Sequence, residues 1–126
     1  MKTLILCTII FLSFSACGSG ADQHTATVIS PQQAREMMLG NDLIIIDVRS
    51  EQEFQAGHIP GAILLPYDIV REEAAALFPD LGQTFLLYCQ SGRRSNIAAN
   101  AMAEMGYSSV YDFGGIMAWE GEINIP

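Results

Sequence analysis

Two six-residue runs, LIIIDV at 43–48 and TFLLYC at 84–89, restrict the fold more than any other feature of the chain. A strand with one wet face alternates apolar and polar residues. These runs are instead almost continuously apolar, which suits strands covered on both faces. Such covering calls for a sheet with helices on either side, and parallel strands joined by crossover helices provide it.

The segments around the two runs fit that scheme. TVIS at 27–30 reads as an opening strand leading to an N-cap at Ser30, with Pro31 at the first helical position and a helix stopped near Gly40. SEQEFQAG at 50–57 supports one or two helical turns, with Ser50 as cap and Glu53 as its capping-box partner. HIPGAILLP at 58–66 turns and returns as a strand, and YDIVREEAAALFPDLG at 67–82 is an amphipathic helix closed by Pro79. RRSNIAANAMAEMGY at 93–107 predicts a helix ended by Gly106, SSVYDF at 108–113 a strand, and GGIMAWEGE at 114–122 a turn leading into a short final helix. The expectation is an α/β domain with a mainly parallel central sheet flanked by helices. Ligands of such sheets sit beyond the carboxyl ends of the strands, and Cys89 stands at one.

With 126 residues, half of them hydrophobic, the chain has room for one compact domain and not for two. Its first residues have the layout of a secretory signal peptide over 1–16: Lys2, an apolar stretch from Leu4 to Phe14, then small residues. The apolar stretch is too short for a membrane-spanning helix, which needs about 20 residues. FSAC at 14–17 resembles a bacterial lipobox, with Phe14 where Leu is usual, and lipidation of Cys17 is favoured over ordinary cleavage near Ala16 because it uses the cysteine itself. Residues 17–27 then read as a flexible tether and 28–126 as the domain, exported to a periplasm or held at a bacterial membrane by a lipid on Cys17.

Export sharpens the question that Cys89 poses. Cys7 leaves with the signal and Cys17 stands at the mature N-terminus, so Cys89 is the one thiol inside the domain and has no disulfide partner there. A buried, inert cysteine is the plain explanation; its neighbours suggest another.

The precursor carries 6 basic and 14 acidic residues, and losing Lys2 with the signal changes its net charge from -8 to -9 (5 basic, 14 acidic). A polyanion would be repelled, so nucleic acid is not an expected partner and any positive site must be local. Two of the five mature basic residues, Arg93 and Arg94, fall in the CQSGRRS loop. If the chain turns after Cys89 and enters a helix near Arg94 or Ser95, consecutive N–H groups point at the sulfur, with Gly92 supplying the positive φ that such an anion nest requires. Donors aimed at the sulfur, the helix dipole and the two arginines all favour thiolate over thiol. No histidine base is needed.

CQSGRRS resembles the active-site loop of the rhodanese family of sulfurtransferases, DVRSEQEFQAGHIPGAILLP resembles that family's other signature segment, and GGIMAW matches its closing pattern. The likeness runs from about Val28 to Gly121 and is nearest to the small, exported, single-domain members. It implies a three-layer rhodanese-like domain in which Cys89 attacks a sulfane sulfur donor such as thiosulfate and becomes a persulfide. Gln90, Ser91, Gly92, Arg93, Arg94 and Ser95 would hold the persulfide and donor, with Arg94 on the donor's anionic group. Cyanide or a thiol would then take the sulfur. Arg49 is a second candidate for substrate contact, although an ion pair with Asp47 shaping the floor of the site is the stronger reading for both residues. The resemblance gives His58 a role in organising its turn rather than as a base, and Glu53 reads as a cap or ion-pair partner.

Trp119 and Met102, Met105 and Met117 are assigned to core packing. No metal or other cofactor is expected, because two separated histidines and one domain cysteine form no ligand cluster. A rhodanese-fold phosphatase would place its arginine after five intervening residues, whereas Arg94 follows Cys89 after four and the next position is Ser95, so the spacing counts against phosphate chemistry. Arsenate reduction usually needs further thiols. A persulfide carrier that hands sulfur to a partner protein stays open as the alternative to turnover on a small acceptor.

Overall fold

The computed structural model describes residues 24–40 and 42–126; the signal segment, the lipidation candidate Cys17 and most of the tether lie outside them. The strands are β1 (Thr27–Val28), β2 (Leu43–Asp47), β3 (Ile63–Leu64), β4 (Thr84–Cys89) and β5 (Ser109–Gly115). Among them run helices α1 (Pro31–Met38), α2 (Glu51–Ala56), α3 (Val70–Leu77) and α4 (Arg93–Glu104), with single 3₁₀ turns at Tyr67–Ile69 and Ile116–Ala118. All five strands join one sheet in the order β1-β5-β4-β2-β3, and every neighbouring pair is parallel. The expected mainly parallel sheet is thus parallel throughout the described residues. β1 opens at Thr27, one residue inside the stretch read as tether, and Ala26 already donates its N–H to Asn100 at 3.0 Å.

Burial explains why β4 shows no alternation. Phe85, Leu87 and Cys89 point to one face, where Ile46 and Val48 join residues of α3 and α4 such as Val70, Ala74, Ala98 and Met102. Leu86 and Tyr88 point to the other, against Ala34 of α1, Ile59, Phe113 and Trp119. Both parities are buried, so both must be apolar. Ala98, Ala99, Ala101 and Ala103 line the buried side of α4, and their small side chains let the helix lie close to the strands.

α1 and α2 start on matching capping boxes: Ser30 with Gln33, and Ser50 with Glu53, each Ser–partner pair satisfying two backbone N–H groups. Two expectations change. The YDIV segment begins as a 3₁₀ turn, with regular helix from Val70 to Leu77 before Pro79 ends it. Gly114 and Gly115 are not a turn but the end of β5, and the short final helix is only the 3₁₀ turn Ile116–Ala118. Met102 lies in the core and Met105 packs against it, whereas Met117 is exposed and Trp119 packs on Phe113 at 5.6 Å.

The end of α3 is tied to the strand side by Tyr107, whose buried hydroxyl donates to the carbonyls of Phe78 (2.7 Å) and Ala74 (3.0 Å). The Phe78 carbonyl lies past the last helical turn and has no intrahelical donor, so the phenol supplies one; the Ala74 oxygen, which already accepts the Phe78 N–H at 2.8 Å, shares that proton. Tyr107→Phe is expected to cost about 1–2 kcal/mol and lower Tm by about 5–10 °C with function retained. An unchanged Tm in a thermal melt would show that these bonds contribute nothing net.

Candidate active site

Cys89 is the last residue of β4, and the sheet is irregular at that point. Leu87 pairs with Asp112 and Cys89 with Gly115, so β5 carries one more residue than β4 across the same span. Gly114 absorbs the bulge at φ +86°, its N–H donating to the Asp112 carboxylate at 2.9 Å. The bulge sets the Gly115 backbone against the loop that follows Cys89. A Cβ on Gly115 would lie 2.2 Å from the Gln90 oxygen and 2.6 Å from the Ser91 Cα. Only glycine permits that approach.

The loop closes over the sulfur. Gly92, at φ +112°, caps α4, and its N–H donates to Cys89 Sγ at 3.0 Å. α4 has no side-chain N-cap, so the sulfur occupies the place where a capping oxygen usually sits. The helix starts at Arg93, the first residue of the segment 93–107 that predicts it, because positive φ at Gly92 already turns the chain into register. Ser95 lies buried beneath, its Oγ 3.6 Å from Sγ, 3.1 Å from the Gly92 oxygen and 3.3 Å from that of Gly114. Its single proton can turn to the carbonyls while Cys89 is a thiol and to the sulfur once it is a thiolate.

Burial pushes the Cys89 thiol up, but the Ser95 hydroxyl and the N–H groups of Ser95, Gly92 and Ser91 outweigh it and hold the thiol below its ordinary 9.0. A depressed acid is ionised above its folded pKa. The thiolate therefore persists at lower pH than in a free cysteine, and the stability its bonds contribute is lost as pH falls through the folded value.

The arginines have other engagements. Arg49 is buried and donates through Nε and Nη2 to Asp47 at 2.6–3.1 Å, through Nη2 to the Gly57 oxygen at 2.7 Å, and through Nη1 to Gln90 Oε1 at 3.4 Å. Burial opposes the Arg49 charge, and the bond and field of Asp47 more than restore it. Arg49 thus reaches the loop through Gln90 while forming the floor with Asp47. Tyr88 donates its hydroxyl to Asp47 at 2.7 Å and accepts the Ile59 N–H at 3.0 Å. Burial, then the Asp47 bond, keeps the phenol protonated well above its usual range.

Arg93 is exposed, its guanidinium 5.9 Å from the Tyr67 ring centroid. Arg94 donates through Nη1 and Nη2 to the two oxygens of Glu53 at 2.7 and 2.8 Å. That bond, with the Ser50 donors and against burial, lowers Glu53 from 4.5 to about 2. The pair stabilises the fold above the ordinary carboxylate pKa and fades only as pH falls toward 2; with Glu53 32% exposed the contribution is modest. His58 stacks on Phe54 at 3.7 Å, its Nδ1 lies 2.9 Å from the Phe54 oxygen, and its backbone bridges to Asn124, so it organises a turn. A pocket of about 360 Å³ lies beside the loop, lined by Val48, Pro66, Tyr67 and Ile69 together with Arg49, Arg94 and the acidic residues Glu51 and Asp68.

Residues 30–122 match the Rhodanese-like domain. The chain belongs to the rhodanese family. A thiosulfate sulfurtransferase of Escherichia coli K12, PspE, is 41% identical over 71 residues, 56% of this chain and 68% of that protein. MoeZ of Mycobacterium tuberculosis, a probable adenylyltransferase/sulfurtransferase, is 36% identical over 110 residues, 82% of this chain and 28% of its own length. A solved Escherichia coli rhodanese with anions superposes with a TM-score of 0.62 at 35% identity, covering 66% of this chain and 98% of that one. The chain is accordingly a sulfurtransferase with the rhodanese fold.

Sequence reasoning missed two parts of the rhodanese site. Gly115 is the wall against which the loop packs, and Tyr88 is the link between Asp47 and the Ile59 turn. The doubled glycine and the tyrosine next to the cysteine were the available signals. Gly115→Ala is expected to displace the loop and lower transfer rates about 100-fold, with destabilisation of about 1–3 kcal/mol; wild-type kinetics would show that the loop tolerates the shift. In Ser95→Ala, the midpoint of Cys89 alkylation against pH should rise, because the strongest of the contacts that favour the thiolate is lost. An unmoved midpoint would remove the hydroxyl from the account.

Proposed function

We propose that the domain moves sulfane sulfur from thiosulfate, or a similar anionic donor, to cyanide or a thiol through a Cys89 persulfide. The observation that carries this reading is the Gly92 N–H 3.0 Å from the sulfur, within a ring of loop donors that lowers the thiol's pKa. The same donors suit the anionic persulfide.

In the first half-reaction the Sγ thiolate attacks the outer sulfur of thiosulfate. The Sγ–S bond forms, the donor's S–S bond breaks, and its electron pair leaves with sulfite. In the second, cyanide or a thiolate attacks the outer sulfur and the pair returns to Sγ, giving thiocyanate or a new persulfide. Neither step on these anions moves a proton, which is consistent with a site whose histidine is tied to Phe54 and Asn124. Cys89 is 1% exposed, so it favours a slim terminal sulfur over a bulky electrophile; the outer sulfur of the persulfide stands about 2 Å further out for the acceptor. The name of the PspE relative supports thiosulfate as donor.

A second reading makes the acceptor a protein thiol. It is favoured by the match to MoeZ, in which the similar segment is 28% of a longer chain. The signal-like residues 1–16 and Cys17 support export and a lipid anchor as the setting for either reaction.

Intact mass spectrometry of the domain after brief thiosulfate treatment should show a gain of about 32 Da that cyanide removes as thiocyanate, and none in Cys89→Ala. A gain that persists in Cys89→Ala would overturn the mechanism. A loaded protein that discharges to no small acceptor would transfer the case to the protein-acceptor reading.

A further inference from the structure

Arg94, assigned above to the donor's anionic group, already holds an anion. Glu53 comes from α2, 41 residues away in the chain, and meets both terminal nitrogens of the guanidinium, the geometry in which arginine binds an external oxyanion. The pair is partly open to solvent, with Arg94 21% and Glu53 32% exposed. Arg94 also borders the pocket beside the loop, so an incoming anion can reach it.

Glu53 does not depend on Arg94 for its position. Its Oε2 also accepts from the Ser50 N–H and the Ser50 hydroxyl, both at 2.9 Å. If an anion took Arg94, Glu53 would remain ordered and hydrogen-bonded as the cap of α2. One set of bonds fixes the carboxylate and the other is exchangeable.

We propose that Glu53 is an affinity-setting residue for the donor, an internal carboxylate that competes for Arg94, yields it to an entering sulfur oxyanion and takes it back as the product oxyanion departs. The inference rests on the reading of Arg94 as the donor's anion contact. The physical reason for such a device is that donor and leaving group are both doubly charged oxyanions. A bare arginine beside a thiolate nest would bind sulfite nearly as well as thiosulfate, and tight binding of the product would slow release. A tethered carboxylate weakens both without removing the positive charge that orients the donor.

Glu53→Gln separates this role from structure. Glutamine keeps the capping box, as Gln33 does beside Ser30 at the start of α1, but it removes the charge that competes for Arg94. Binding of sulfate, an unreactive oxyanion, should tighten about fivefold in calorimetry, the factor that an exposed ion pair of about 1 kcal/mol implies. KM for thiosulfate and the inhibition constant for sulfite should fall by a similar factor while kcat does not rise. All three gains should vanish when Arg94→Ala is added.

Unchanged sulfate affinity in a protein of unchanged Tm would overturn the proposal, as would an equal gain in the Arg94→Ala background, which would reduce the effect to general charge. Glu53→Asp, one methylene shorter with the charge kept, provides a second variant should Glu53→Gln fold poorly; a loosened clamp must again tighten sulfate. If sulfate binding tightens as expected while the wild type takes no sulfur from thiosulfate, the competing carboxylate stands and the donor assignment falls.

Discussion

The Asp47 carboxylate is the point on which the two halves of the site depend. It is fully buried, and a buried carboxylate costs several kcal/mol unless its oxygens are saturated with donors. Here it accepts from the Arg49 backbone and guanidinium and from the Tyr88 hydroxyl. Each donor then serves a second structure. Tyr88 receives the Ile59 N–H, Arg49 holds the Gly57 carbonyl and touches Gln90, and the turn between them pairs with Asn124 through His58. One charge at the end of β2 thereby connects the neighbouring strand, the turn after α2 and the cysteine loop. Every buried polar side-chain atom among the described residues has a partner, as such a network requires.

The loop itself is built from backbone more than from side chains. Loop N–H groups and the Ser95 hydroxyl stabilise sulfur anions, and Gly115 on β5 makes room for the chain that carries them. Fixed dipoles of this kind need no reorganisation when charge appears on sulfur, whereas a flexible arginine would have to be ordered first. The two loop arginines accordingly lie away from the direct bonding shell of the sulfur: Arg93 over Tyr67, Arg94 on Glu53. Arg94 still acts on Cys89 through its field.

A net charge of -8 would discourage anionic substrates at long range. The site meets that field with local positive dipoles at the start of α4, which act over a few ångströms and leave the overall charge unchanged. Glu53 belongs to the same economy of charge, since the carboxylate that caps α2 also neutralises the nearest cation.

The sequence by itself determined the layered α/β class, the cysteine at a strand end, the glycine that turns the loop, the Ser30 cap and the Ser50–Glu53 capping box. Each is a local property: strand burial appears as unbroken apolar runs, caps as fixed spacings, and positive φ as glycine. It also placed Asp47 with Arg49, because residues two apart at a strand terminus have few other partners. Only the tertiary structure decided what lies opposite the loop. The one-residue bulge that seats Gly115 against Gln90 arises from the register between β4 and β5, which no single segment encodes. The pairing of Arg94 with Glu53 likewise joins residues 41 positions apart, and their meeting depends on how α2 and α4 are set on the sheet rather than on any spacing along the chain.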